Sequence, residues 1–156
     1  MLISTKSCTE LQKRLDKGRG DIFCRGLFLS ARWIVLSGVV RKGVHFIILP
    51  NIEAAEYCTS DLYNFIDGDR VFFLPESGRN VERSNYKSSL AVQRTAAISS
   101  IISGEDDLKL IVSYPEAIAE KVPSVKEISD SIMSIRKGDE ISHEKIVAAL
   151  SAGKGN

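Results

Sequence analysis

The chain has 156 residues, of which 44% are apolar and 26% charged, with a net charge of +1. That length suits one core plus the start of a second unit. The near-zero charge argues against a strongly basic nucleic-acid binder. No apolar run approaches the 18 or more residues a membrane span needs, and "MLISTKSCTELQKRL" lacks the apolar core and cleavage site of a secretion signal. Cys8, Cys24 and Cys58 are odd in number and far apart, which fits neither a disulfide framework nor a zinc site. The cytoplasm is the expected compartment.

Residues 4–17 place Leu11 and Leu15 four apart among charges, an amphipathic helix stopped by Gly18 and Gly20. "DIFCRGL" (21–27) reads as a short strand. From Ser30 to Val40 the apolar residues suggest a buried helix with Gly43 at its end. "HFIILP" (45–50) is a continuous apolar run, as for a strand covered on both faces. Asn51 is placed as an N-cap, with Glu53 and Glu56 near the positive end of the helix that follows. "RVFFLP" (70–75) is a third strand and "ESGRNVERSNYKSS" (76–89) a polar surface loop. "LAVQRTAAISSII" makes a helix running to Gly104, and "LKLIVSY" (108–114) a fourth strand. Pro115 then suits the first turn of a short helix.

This alternation predicts an α/β domain over residues 1–120, a parallel sheet with helices on both faces. Pro123 marks a change of style. "DSIMSIRKG" (130–138) alternates like a strand, and "SHEKIVAALSAG" reads as a helix capped by Ser142. Residues 121–156 are therefore expected to be the start of a small second α+β unit. A strand and a helix alone bury too little to be stable, so the chain is expected to be part of a longer protein.

"RGLFLSARW" (25–33) lies where a strand-to-helix phosphate loop would fall. The pattern G-x-x-x-x-G-K-[ST] needs small residues so that backbone N–H groups close around phosphate. It also needs Lys on the outer phosphates and Ser or Thr on Mg²⁺. Gly26, Ala31, Arg32 and Trp33 occupy its four positions, and only Gly26 conforms. Leu27, Phe28 and Leu29 are expected to crowd the loop, and Trp33 and Phe28 to cover the sheet. Trp33 cannot ligate magnesium, and the fork of Arg32 differs in shape from the ammonium of Lys. No cofactor is expected here. The acidic run Glu105–Asp107 precedes its strand, the wrong end for a parallel-sheet site.

Arg79, Arg83, Lys87 and Arg94 form a basic cluster that can contact phosphate or a partner weakly. The competing reading is solvated surface, since phosphate binding requires converging cations; for Arg94 it is packing or an intramolecular contact. His45 and His143 have no Asp, Ser or Cys at catalytic spacing. Cys24 and Cys58 fall on expected core elements and read as inert apolar residues.

The order "GLFLSARWIVLSGV", "FIILPNIEAAEYCTSDL", "RVFFLPES", "SLAVQRTAAISSII", "LIVSYPEAIAEKV" resembles the N-terminal region of bacterial transcription-repair coupling factors. That region is itself similar to the nucleotide excision repair protein UvrB. The resemblance covers about residues 10–150. It implies a P-loop NTPase or helicase-like fold with a degenerate nucleotide loop, in which Gly26, Ser30, Ala31, Arg32 and Trp33 are vestigial. Ser30 keeps the loop's serine, and Leu29 stands where the coupling factors carry glycine.

The family releases RNA polymerase stalled at DNA lesions and recruits UvrA. ATP, Mg²⁺ and duplex DNA are handled by later domains. UvrA docks on a small inserted domain, of which residues 124–156 would be the opening, with the contacting residues expected beyond Asn156. The loop 76–89 is short beside UvrB's aromatic hairpin and has Tyr86 as its sole aromatic, which argues against DNA clamping. The alternative is a small α/β enzyme or ligand-binding domain with its site at the carboxyl ends of the strands, using Arg25, Asn51, Glu76, Pro115 and Glu116. A relic of another translocase differs from the first reading only in parentage.

Overall fold

The structure, a computed structural model, describes residues 6–77, 84–103, 107–122, 124–127, 142–144 and 147. The chain divides into two units, Met1–Glu120 and Lys121–Asn156. The first contains α1 (Lys6–Asp16), α2 (Ala31–Val39), β1 (Gly43–Ile48), α3 (Ile52–Leu62), β2 (Val71–Phe73), α4 (Ser84–Ile102), β3 (Leu108–Ser113) and α5 (Pro115–Ala119). A single 3₁₀ turn, Gly68–Arg70, leads into β2.

The sheet has three strands in the order β1-β3-β2, both pairings parallel. Ile111 of the central strand lies opposite both Phe46 and Phe72, so these three share a face; Ile47, Val112 and Phe73 share the other. On the second face, Ala55, Cys58 and Leu62 of α3 pack with Leu110, Val112, Val71 and Phe73. On the first, Ala97, Ile98 and Ile101 of α4 pack with Ile111 and Phe72. Helices therefore cover both faces of β3 and β2, and every residue of β3 is buried. Burial of a side chain such as Leu110 or Ile111, both fully enclosed, stabilises the fold by about 1.5–3 kcal/mol.

β1 departs from the expectation of burial on both faces. Its burial alternates, with Val44, Phe46 and Ile48 exposed. It is an edge strand, and α4 packs chiefly on β2 and β3.

Residues 21–27 form no strand. Strand preference is realised only through cross-strand partners. This segment instead flanks α1, with Gly20 and Gly26 at φ +83° and +76° on either side of its centre. The expected four strands thus become three.

Gly43 does not end α2. The Arg41 guanidinium does, donating to the Gly38 carbonyl at 2.7 Å and the Val40 carbonyl at 3.2 Å, a cation on the negative helix end. Gly43, at φ +83°, begins β1. Asn51 caps α3 as expected, its side chain accepting the Ala54 N–H at 2.9 Å. α4 begins at Ser84, so residues 84–89 of the expected loop are helical. Lys109, buried on the α4 side of β3, ties off that helix by donating to the Ser100 carbonyl at 2.6 Å and Ser103 Oγ at 2.7 Å.

In the second unit, Ser124 and Glu127 form a reciprocal capping box. The Glu127 carboxylate accepts the Ser124 N–H and hydroxyl at 2.7 Å, and the Glu127 N–H donates to Ser124 Oγ at 3.3 Å. These bonds hold the Glu127 carboxyl below its usual pKa. The expected strand at 130–138 lies outside the described residues, as does most of the helix expected after Ser142.

Candidate functional site: the loop before α2 and the carboxyl edge of the sheet

Gly26 lies in the stretch ahead of α2, Ser30 is the residue before its first turn, and Ala31, Arg32 and Trp33 are in that turn; the strand that a phosphate loop follows is absent, since residues 21–27 form none. The crowding expected of the loop is absent. Phe28 is 78% and Leu29 85% exposed, so neither fills a cradle, and Phe28 does not cover the sheet. Trp33 does belong to the core, in the cluster with Ala55, Cys58 and Leu62. Arg32 lies over the Trp33 ring, 4.6 Å from its centroid, a cation–π contact.

A carboxylate reaches this loop from α3. Ser30 Oγ donates to Asp61 Oδ2 at 2.7 Å, which brings an anion from α3 to the N-terminal end of α2. The positive end of a helix dipole attracts one anion readily, and Asp61 supplies it from within the chain. Two of the loop amides also turn inward: Ala31 N–H donates to the Phe28 carbonyl at 3.1 Å and Trp33 N–H to the Ser30 carbonyl at 3.0 Å. Burial pushes the nearby Cys58 thiol up to about 12, with Arg32 pulling it down and Asp61 adding to the rise. That thiol is inert as a nucleophile.

At the carboxyl edge of the sheet, the residues of the alternative site follow adjacent strands but serve the fold. Asn51 is a helix cap, and Pro115 opens α5 with Glu116 in its first turn. The Glu76 N–H donates to the Tyr114 hydroxyl at 3.2 Å, and Ser113 Oγ donates to the Leu74 carbonyl at 2.7 Å. Tyr114 is buried, and burial, together with the carboxylates of Glu76, Glu116 and Glu56, raises its pKa despite the opposing Glu76 bond. Arg25 is not part of this edge; it lines a trough beside α1.

Arg94 leaves the basic surface cluster altogether. It is 7% exposed, and its guanidinium donates to the carbonyls of Pro75 at 2.6 Å, Ala117 at 3.2 Å and Glu120 at 3.4 Å. The Glu120 carboxylate lies 3.5 Å away and accepts the Ser77 N–H at 2.6 Å. Arg94 therefore locks α4 to α5 and to the end of β2. Arg79 and Arg83 lie outside the described residues, as does the side chain of Lys87. His45 Nε2 sits 2.9 Å from the Lys42 carbonyl, a local contact.

Asp61, Ser113, Tyr114 and Glu120 are participants that sequence reasoning missed. Ser30 and Asp61 are 31 residues apart, and only the fold brings them together. Among the described residues no group of three or more His, Cys, Asp or Glu side chains converges as metal ligands, and no helix is long and apolar enough to cross a membrane.

The fold and these contacts define an α/β protein with a small parallel sheet. No family model, curated protein or solved structure matches the chain.

Proposed function

We propose that this chain is the non-catalytic N-terminal module of a transcription-repair coupling factor, a protein-contact scaffold derived from a P-loop, helicase-like fold. In this reading the parent protein releases RNA polymerase stalled at lesions, translocates on duplex DNA with ATP and Mg²⁺ bound in later domains, and recruits UvrA through the completed second unit. The observation that carries the reading is Leu29. Among the described residues it is the non-glycine residue held at positive φ, +48°, and it stands where the coupling factors carry glycine. A leucine in that region costs about 1–2 kcal/mol, so the loop keeps a backbone shape suited to glycine after the residue itself has changed. The Asp61 carboxylate at the N-terminal end of α2 adds support, because a triphosphate there would face a fixed negative charge.

Two measurements test the proposal. Calorimetric titration with ATP·Mg²⁺ should show no binding up to millimolar nucleotide; micromolar binding overturns the non-catalytic assignment. Reading the coding sequence on from Asn156 should reveal the rest of the inserted unit and then helicase-type domains with an intact G-x-x-x-x-G-K-[ST]. A stop codon or an unrelated domain there overturns the parentage.

A further inference from the structure

Residues 21–27 have the composition of a strand, Asp-Ile-Phe-Cys-Arg-Gly-Leu, yet they belong to no sheet. No backbone hydrogen bond joins them to another described residue. Phe23 is 86% exposed although it is among the most apolar residues of the segment. A backbone segment of this composition with unspent N–H and C=O groups is a template for an added strand.

Beside it runs a trough of about 680 Å³ whose apolar walls are Cys8 and Leu11 of α1, Ile22, Phe23 and Leu27 of the segment, and Val35 of α2. That volume is in the range of sites that hold ligands. A second cavity of about 270 Å³ shares Glu10, Arg14 and Ile22 with the first and continues past Lys17, Arg19 and Asp21. Around the two together stand four cations (Arg14, Lys17, Arg19, Arg25) against two carboxylates (Glu10, Asp21), an excess of two positive charges. Arg14 and Glu10 pair at 3.4 Å on the exposed face of α1.

We infer that this trough docks an extended, acidic peptide segment of a partner protein, which pairs as an added strand with residues 22–25, ahead of the left-handed turn at Gly26. The period of two along a strand would send alternate apolar side chains into the trough and leave the acidic ones facing the cations. The charge excess selects an acidic occupant over a basic one. The unpaired backbone selects an extended occupant over a helix, whose own amides are already satisfied. A second copy of this segment is disfavoured because it would bring Arg25 into the same cationic surroundings. The inference concerns the α1 side of the first unit and is independent of which parent protein the chain belongs to.

The probe is a fluorescein-labelled ten-residue peptide alternating Val and Glu, followed by fluorescence anisotropy. It should bind in the micromolar range, about tenfold tighter than the same peptide with Lys for Glu, and weaken with rising salt. The double variant Arg14→Glu/Arg19→Glu should lose about tenfold in affinity, and Arg14→Gln/Arg19→Gln somewhat less. All four substitutions are at exposed positions, and an unchanged denaturation midpoint verifies folding. Hydrogen exchange at residues 22–25 should slow when the peptide binds. Equal affinity for the Lys peptide, no binding at millimolar peptide, or binding without protection of 22–25 overturns the inference. Self-association of the chain that is lost in the same variants overturns the assignment to a partner.

Discussion

Replacing Arg94 by Met keeps most of the buried stem and deletes only the guanidinium. The deletion strips donors from the carbonyls of Pro75, Ala117 and Glu120 and removes the guanidinium that lies 3.5 Å from the mostly enclosed Glu120 carboxylate. Removing one member of a buried pair costs about 3–5 kcal/mol when the other charge stays buried. Glu120 retains the Ser77 N–H and some access to water, so the lower end, about 3 kcal/mol, is expected. Urea denaturation followed by circular dichroism at 222 nm should show that loss as a lower midpoint with an unchanged slope. Adding Glu120→Gln should restore part of it, because the enclosed carboxylate that faced Arg94 then carries no charge, and the pair of single variants closes a double-mutant cycle. A loss below about 1 kcal/mol, the range of exposed ion pairs, would refute the view that Arg94 locks α4 to α5 and returns it to the basic surface cluster.

Leu29→Gly should stabilise the chain by about 0.5–1 kcal/mol: relief of roughly 1–2 kcal/mol of left-handed strain, offset by roughly 0.5–1 from the greater freedom of glycine when unfolded. The side chain is exposed, so little burial is forfeited; a lower denaturation midpoint for the variant contradicts the strain. A thiol reagent at pH 8 should label exposed Cys24 rapidly and buried Cys58 only on unfolding, and equal rates in the native protein defeat the assignment. Cys58 and Tyr114 are both held protonated by burial, with pKa values above the unfolded ones. Their contribution to stability is therefore complete below pH 9 and is lost as pH rises toward 12. Urea midpoints measured from pH 7 upward should stay level on this account and then fall, and a rise in that window contradicts it.

The parts of this fold that were legible in the sequence are those carried by short-range physics. The Asn51 cap, Pro115 at the start of α5, and the apolar runs of β2 and β3 are all set by residues within one turn or one strand. What was not legible depends on which element lies beside which. Residues 45–48 look the same in sequence whether a helix covers them or not, and the exposure of Phe46 goes with the place of β1 at the edge of the sheet. Residues 21–27 carry strand composition, but composition cannot supply a ladder partner. The loop before α2 illustrates both sides. Its mismatch to the phosphate-loop pattern was plain from four positions, whereas of Leu27, Phe28 and Leu29, expected to crowd it, Phe28 and Leu29 point into solvent. The hydrogen bond from Ser30 to Asp61, 31 residues away, exists only through the fold.

Open α/β sheets bind their ligands in the crevice outside the carboxyl ends of the strands, and in this chain that edge is stapled by its own side chains. Ser113 closes on Leu74, Tyr114 receives the Glu76 amide, Glu120 receives the Ser77 amide, and Arg94 fills the space between three carbonyls. Each contact satisfies a polar group that a ligand-binding edge would hold ready for its substrate. The open surfaces lie elsewhere: the bare stripe of β1, the exposed Phe28 and Leu29, and the trough beside α1. Buried polar networks of this kind rigidify the element they close, so the sheet is held firm along its carboxyl edge. Apolar side chains and unpaired backbone are meanwhile presented outward. A rigid sheet with sticky margins is suited to being gripped by another protein, which is the property the proposed function requires of it.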